Sequence, residues 1–156
     1  MRRKSKLHNR LTIILIAFLF SLLAGRYSRD FSKGHIETTL CTSVVDGDTI
    51  RVNFKGQKER VRILDIDAPE VHRTAKLRGQ ALKAGVSEDV MLERGKEATK
   101  ALETMVLGKE IQLAFHGASG EICRDGFGRL LCHVSVNGTN VGVNLRERGL
   151  VEGYRN

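Results

Sequence analysis

Residues 46–70 read DGDTIRVNFKGQKERVRILDIDAPE, and the division of this stretch decides the fold. Thr49-Ile-Arg-Val-Asn-Phe54 alternates apolar and polar side chains, the pattern of a half-buried strand. Lys55-Gly56-Gln57-Lys58 is a hairpin turn, with Gly56 suited to positive φ. Residues 59–67, ERVRILDID, then form a second strand of the pair. Upstream, residues 38–45, TTLCTSVV, are β-branched and end at the Asp46-Gly47-Asp48 turn. Residues 38–67 are therefore expected to be a three-stranded antiparallel meander.

Downstream the period changes. Ala98, Ala101, Leu102, Met105 and Val106 recur at helical spacing, and Gly108 suits the C-terminal cap. EIQLAFH (110–116) and GRLLCHVSV (128–136) are two further strands on either side of a loop at 117–127. NGTN (137–140) is a turn, and VGVNLRERG (141–149) is a short helix stopped by glycine. Residues 71–94 are polar and basic and read as a long loop, with or without a short helix. Five strands, with a helix between the third and fourth and another at the C-terminus, is the element order of an OB-fold, a β-barrel carrying helices.

At the N-terminus, residues 1–10 hold five basic residues and no acid, and residues 11–25, LTIILIAFLFSLLAG, hold no charge. That is the layout of a secretory signal. It is short for a spanning helix of roughly 20 residues, yet its cleavage site is not clean, so retention as a membrane anchor stays open. Export, to the periplasm or beyond, is expected either way, with residues 26–37 as a polar linker and 38–156 as the domain. Without the first ten residues, 21 basic side chains face 18 acidic ones, leaving +3 of the formal +8. Net charge is then weak evidence for a nucleic-acid partner, and the case rests on placed residues. An exported chain sits where disulfides persist. Cys123 and Cys132 are near enough in sequence to staple a loop, with Cys41 left over and other pairings open. No zinc spacing occurs.

The third strand raises a chemical question. Arg62, Asp65 and Asp67 interrupt its apolar residues, and it stops at Ala68-Pro69-Glu70. In a meander the start of strand two lies beside the end of strand three, which brings Asp48 near Asp67 and Glu70. Carboxylates gathered with a backbone carbonyl suit a hard cation, Ca²⁺ or Mg²⁺. Pro69 biases Ala68 to an extended shape. Arg62 lies five residues before Asp67, an odd offset that places them on opposite faces of a regular strand; a bulge or bend would reunite them. Arg129 supplies a second guanidinium after Gly126-Phe127-Gly128. Two arginines, a cation and a carboxylate are equipment for phosphodiester hydrolysis. Each piece alone has a plainer reading: a β-turn, a surface salt bridge, a strand stop.

DGDTIRV (46–52), nine residues, then RILDIDAPE (62–70) resembles, without a gap, the first signature of the staphylococcal nuclease family. DGFGRLL (125–131) is similar to its second. The resemblance implies an OB-fold, Ca²⁺-dependent nuclease that cleaves DNA and RNA with little sequence preference and leaves 3′-phosphates. It implies Asp48, Asp67 and the Ala68 carbonyl as calcium ligands, with Asp46 reaching the ion through water. It further implies that Glu70 activates or orients the attacking water and that Arg62 and Arg129 bind phosphate and stabilise the transition state. Phe127 and Tyr154 are its candidates for contact with the bases. Three departures stand out: Ala68 replaces the usual Thr, Gly126-Phe127 replaces Lys-Tyr, and the segment after Glu70 is longer and basic, through His72, Arg73, Lys76, Arg78 and Lys83. That segment reads as an enlarged substrate-side loop or as a solvated spacer. No obligate protein partner is implied, and a monomer is expected. The contrasting readings are a catalytically inactive OB module that binds nucleic acid, and a membrane-tethered domain that binds a partner.

Overall fold

The computed structural model describes residues 35–115 and 121–154. The signal or anchor at 1–25, most of the linker and the tip of the 117–127 loop lie outside the described residues. Among the described residues, eight strands and three helices follow in chain order: β1 (Ile36–Asp46), β2 (Thr49–Phe54), β3 (Gln57–Ile63), β4 (Ile66–Asp67), α1 (Ala75–Ala84), α2 (Glu88–Val106), β5 (Glu110–Phe115), β6 (Leu130–Val136), β7 (Thr139–Asn140), α3 (Val141–Glu147) and β8 (Glu152–Gly153).

The five longer strands close into a barrel. β1 pairs antiparallel with β2 and β5, β2 with β3, and β5 with β6; a parallel β3–β6 pairing shuts the ring. This is the expected five-stranded barrel with helices. The hairpin at Lys55-Gly56 has both residues at positive φ, as a tight two-residue turn needs. Alternate residues of β2 and β3, among them Ile50, Val52, Val61 and Ile63, point inward and are at most 1% exposed. α2 covers one opening of the barrel with Ala98, Leu102 and Val106, all fully buried.

Two readings need correction. Residues 59–67 are not one strand. β3 ends at Ile63, and Asp65 adopts φ 63°, which turns the chain before β4 begins. β4 leaves the barrel and pairs instead with β8. Residues 71–94 are mostly helical. Thr74 caps α1 by accepting the Leu77 N–H, and Ser87 caps α2 by accepting the Val90 N–H. Gly85, at φ 65°, breaks the chain between them. α1 escapes detection because its buried stripe is only Leu77 and Ala81, which meet Met91 of α2 in a small cluster beside the main core. Full burial of Leu77 contributes about 2 kcal/mol towards docking α1.

β1 starts at Ile36, so the sheet takes in the last two residues read as linker. The three cysteines are free thiols. The Cys123–Cys132 staple does not form: Cys132 faces the barrel interior and is fully buried, whereas Cys123 lies beside Leu131, the outward neighbour on β6. Burial pushes the Cys132 thiol up to about 12, helped by Cys123, and the buried Cys41 thiol up to about 11.

Candidate active site

The β1–β2 turn and the β3–β4 turn meet because of register. Thr49 faces Arg62 across the β2–β3 ladder, and Ile63 donates its N–H to the Asp48 carbonyl at 2.9 Å. Gly47 makes the approach close: a Cβ there would stand 2.7 Å from that of Ala68 and 2.9 Å from that of Ala98. Gly95 of α2 does the same beneath the Pro69-Glu70 turn, where a Cβ would fall 2.5 Å from the Glu70 carbonyl oxygen. The helix thus backs the turn with no gap.

Asp48 is 5% exposed and fully engaged. Its Oδ1 accepts the Thr49 hydroxyl at 2.9 Å, and its Oδ2 accepts the Ala68 N–H at 2.9 Å and meets Arg62 Nη1 at 3.0 Å. Asp46 Oδ1 accepts the Asp48 N–H at 3.1 Å and fixes that turn. Burial pushes the Asp48 carboxyl up to about 6; Arg62 opposes the shift and Asp46 adds to it. Arg62 also reaches Asp67, Nη2 to Oδ1, at 3.1 Å. The bend at Asp65 is what reunites these two residues across their odd spacing. One guanidinium therefore bridges the two expected calcium ligands.

The second arginine directly precedes β6, the strand that pairs with β3. Asp125 Oδ2 accepts Arg129 Nε at 2.6 Å, and Asp125 Oδ1 accepts the N–H groups of Phe127 and Arg129. Burial alone would raise the Asp125 pKa, but these hydrogen bonds outweigh it and hold the carboxyl below its usual range. Arg129 Nη1 also donates to the Thr49 hydroxyl at 3.4 Å, which links it to Asp48 through one side chain. Its guanidinium lies 5.5 Å from the Phe127 ring centre. Arg124, paired to both oxygens of Glu59, and Arg60, donating to the Phe127 carbonyl, tie this turn to β3.

The expected residues line one cleft of about 420 Å³: Asp46, Asp48, Arg62, Asp67, Ala68, Glu70, Phe127, Arg129 and Tyr154. Phe127 is 76% exposed and Tyr154 51%, so two aromatic rings stand open at its rim. The chain matches the family model described as staphylococcal nuclease homologue over residues 60–156.

This chain belongs to the staphylococcal nuclease homologue family.

Among its relatives is an endonuclease of Bacillus subtilis, YncB, 32% identical over 106 residues, covering 68% of this chain and 43% of that protein. A prophage-derived endonuclease of the same organism, YokF, is 32% identical over 118 residues, covering 76% of this chain and 34% of the relative. The thermonuclease of Staphylococcus intermedius is 24% identical over 140 residues, covering 90% and 73%. The chain spans less than half the length of either Bacillus protein. The Asp46-Gly47-Asp48 turn precedes the span matched by the family model, and the geometry ties it to the rest.

Three side chains at this site, Thr49, Asp125 and Gln80, were given no role from the sequence, and a fourth, Lys76, was named only as part of the basic segment after Glu70. Thr49 reads as the first residue of a strand and Asp125 as the start of a turn, yet they carry the hydrogen bonds that orient Asp48 and Arg129. Lys76 and Gln80 come from α1. Lys76 Nζ lies 3.0 Å from Asp67 Oδ1 and 2.8 Å from Glu70 Oε1. Partial burial lowers its pKa, but the hydrogen bonds to Glu70 and Asp67 outweigh that and leave it raised. Gln80 accepts the Glu70 N–H at 2.9 Å and donates to the Ala68 carbonyl at 3.0 Å. Their spacing of four is a face-sharing signal, visible only once the segment is known to be a helix. Arg73, Arg78 and Lys83 of that basic segment pair with carboxylates of α2 and β8 instead.

Among the described residues no three His, Cys, Asp or Glu side chains are gathered as a metal centre. The expected ligand set has two carboxylates and one carbonyl. All its donors are oxygens, as a hard cation requires. Asp48 and Asp67 start 3.0–3.1 Å from a shared guanidinium, so they already converge on a positive charge.

Proposed function

We propose that this chain is a calcium-dependent nuclease that hydrolyses DNA and RNA without sequence preference and leaves 3′-phosphate products. One observation carries the reading. Arg62 on β3 and Arg129 at the start of the neighbouring β6 line one cleft that also holds Asp48, Asp67 and Glu70. Family membership and relatives named endonuclease and thermonuclease support it.

Asp48, Asp67 and the Ala68 carbonyl would hold Ca²⁺, with Asp46 steadying Asp48. When bound, the ion supplies Lewis-acid polarisation of a phosphate oxygen. The residues supply the rest. Arg62 and Arg129 bind the non-bridging oxygens and stabilise the charge that grows on them. Glu70 takes a proton from water as water attacks phosphorus. The bond from phosphorus to the 5′ oxygen breaks, and that oxygen takes up a proton from solvent. Phe127 and Tyr154 offer faces on which bases stack, which tolerates any sequence. Residues 1–25 would export the chain or hold it at a membrane.

A second reading, an inactive nucleic-acid-binding module, is favoured by one contact: Lys76 occupies Glu70, the proposed base. The two readings separate in a digestion of single- and double-stranded DNA and of RNA by the full-length chain. It is run with calcium, with magnesium and with a chelator, beside Glu70→Ala. Calcium-dependent cleavage that the variant lacks is expected. Binding without cleavage in every metal would establish the module instead.

A further inference from the structure

Of the cations on the basic segment after β4, only Lys76 lines the cleft. Its two partners are Asp67, to which the proposed function assigns the metal, and Glu70, to which it assigns the water. The backbone that carries the ammonium is firmly placed. It stands on the first turn of α1, which is held by the Thr74 cap, by fully buried Leu77 and by Gln80 across the Ala68-Pro69-Glu70 backbone. Asp67 Oδ1 already meets both Lys76 and Arg62, and a divalent cation added to that oxygen would be repelled strongly by the ammonium at such separations. Arg62 differs: it approaches Asp48 and Asp67 from β3 as a fixed part of the barrel, whereas half the Lys76 side chain is in solvent and free to swing out.

We propose that Lys76 is a resident counter-ion that competes with the divalent cation for Asp67 and so sets the metal affinity of the cleft. With metal absent it neutralises the carboxylates; with metal present it must leave them. The inference rests on the calcium reading above, and the α1 segment gains a role in it beyond that of a spacer.

The test is calorimetry of calcium binding to the full-length chain as wild type, Lys76→Met and Lys76→Arg. No catalytic turnover is involved. Lys76→Met keeps the apolar stem and removes the charge, and it is expected to bind calcium roughly tenfold more tightly. Lys76→Arg keeps the charge and is expected to bind no more tightly than wild type. Binding by Lys76→Met alone, with a silent wild type, would support the competition in its strongest form. If the wild type binds and Lys76→Met binds equally or more weakly, the competition is overturned and the calcium reading stands. If no variant binds calcium, both fail together.

Discussion

The barrel wall of the cleft and its helical wall carry similar side chains on different supports. Asp48 and Arg62 sit on or beside paired strands, so the ladder fixes their Cα positions before any side chain interacts. Lys76 and Gln80 sit on a ten-residue helix whose own buried residues are Leu77 and Ala81. On the barrel wall, charge follows from position. On the helical wall, position depends partly on the charges and hydrogen bonds. Substitutions should therefore fail differently on the two sides.

The largest effect is expected from Arg62→Ala. It leaves Asp48 buried beside Asp46 without its guanidinium. Removing one partner of a buried pair costs about 3 kcal/mol. Loss of a donor to the developing charge costs on the order of 10²–10³ in rate. Denaturant unfolding and digestion assays measure the two separately. A variant as stable as wild type would mean that the barrel wall is not an electrostatic unit, and the contrast between the walls would collapse.

Gly95→Ala comes next and acts on the junction of the walls. The new methyl would meet the Glu70 and Pro69 carbonyl oxygens at 2.5 and 2.8 Å, and these are backbone atoms. Overpacking of this kind costs about 1–3 kcal/mol. The turn must move, and Glu70 with it; a displacement near 1 Å can cost about 100-fold in rate. A lowered melting temperature with unchanged kcat would show that Glu70 tolerates movement.

Gln80→Ala is expected to be milder. It removes one acceptor and one donor from the Ala68-Pro69-Glu70 backbone, each worth about 1 kcal/mol at most where water can substitute. The expected outcome is a fall in kcat with little change in KM and a small loss of thermal stability. Equal loss in kcat and stability would place Gln80 with the structural contacts of α1.

The same contrast governs what could be read from the sequence. Strands that alternate and turns that need glycine declared themselves, and so did the barrel order; the residues named for the site, several only through the family resemblance, line one cleft. Arg62 and Asp67 could not be joined by periodicity, because their meeting depends on the positive φ of Asp65, a residue whose type only mildly favours it. α1 was hidden for a physical reason as well. A helix that buries two residues on one side leaves no stripe to detect, and its cap at Thr74 resembles any loop threonine. The part of the site built on that helix, Lys76 and Gln80, was hidden with it. The cysteines misled through proximity in sequence: Cys132 is buried in the barrel interior, and both it and Cys123 are free thiols.

The smallest expected effect sharpens the comparison between the two arginines. All the carboxylates involved line the cleft, but Arg62 is held by Asp48 and Asp67 from other elements, and Arg129 by Asp125 of its own turn. Asp125 has a folded pKa below its unfolded value of 3.8. Its ionised form therefore stabilises the fold above that value, and the contribution is lost as the pH falls through the ordinary carboxylate range and below it. The pair is on a surface turn, so the contribution is under about 1 kcal/mol. Asp125→Asn removes the titrating group, and part of the acid limb of the melting profile below about pH 4 should flatten. At neutral pH the variant should melt slightly lower, since the amide cannot accept from both the guanidinium and the backbone as the carboxylate does. If the acid limb is unchanged, Asp125 is not what sets the direction of Arg129. The Thr49 hydroxyl would then orient it, and both arginines would be aimed by groups outside their own turns.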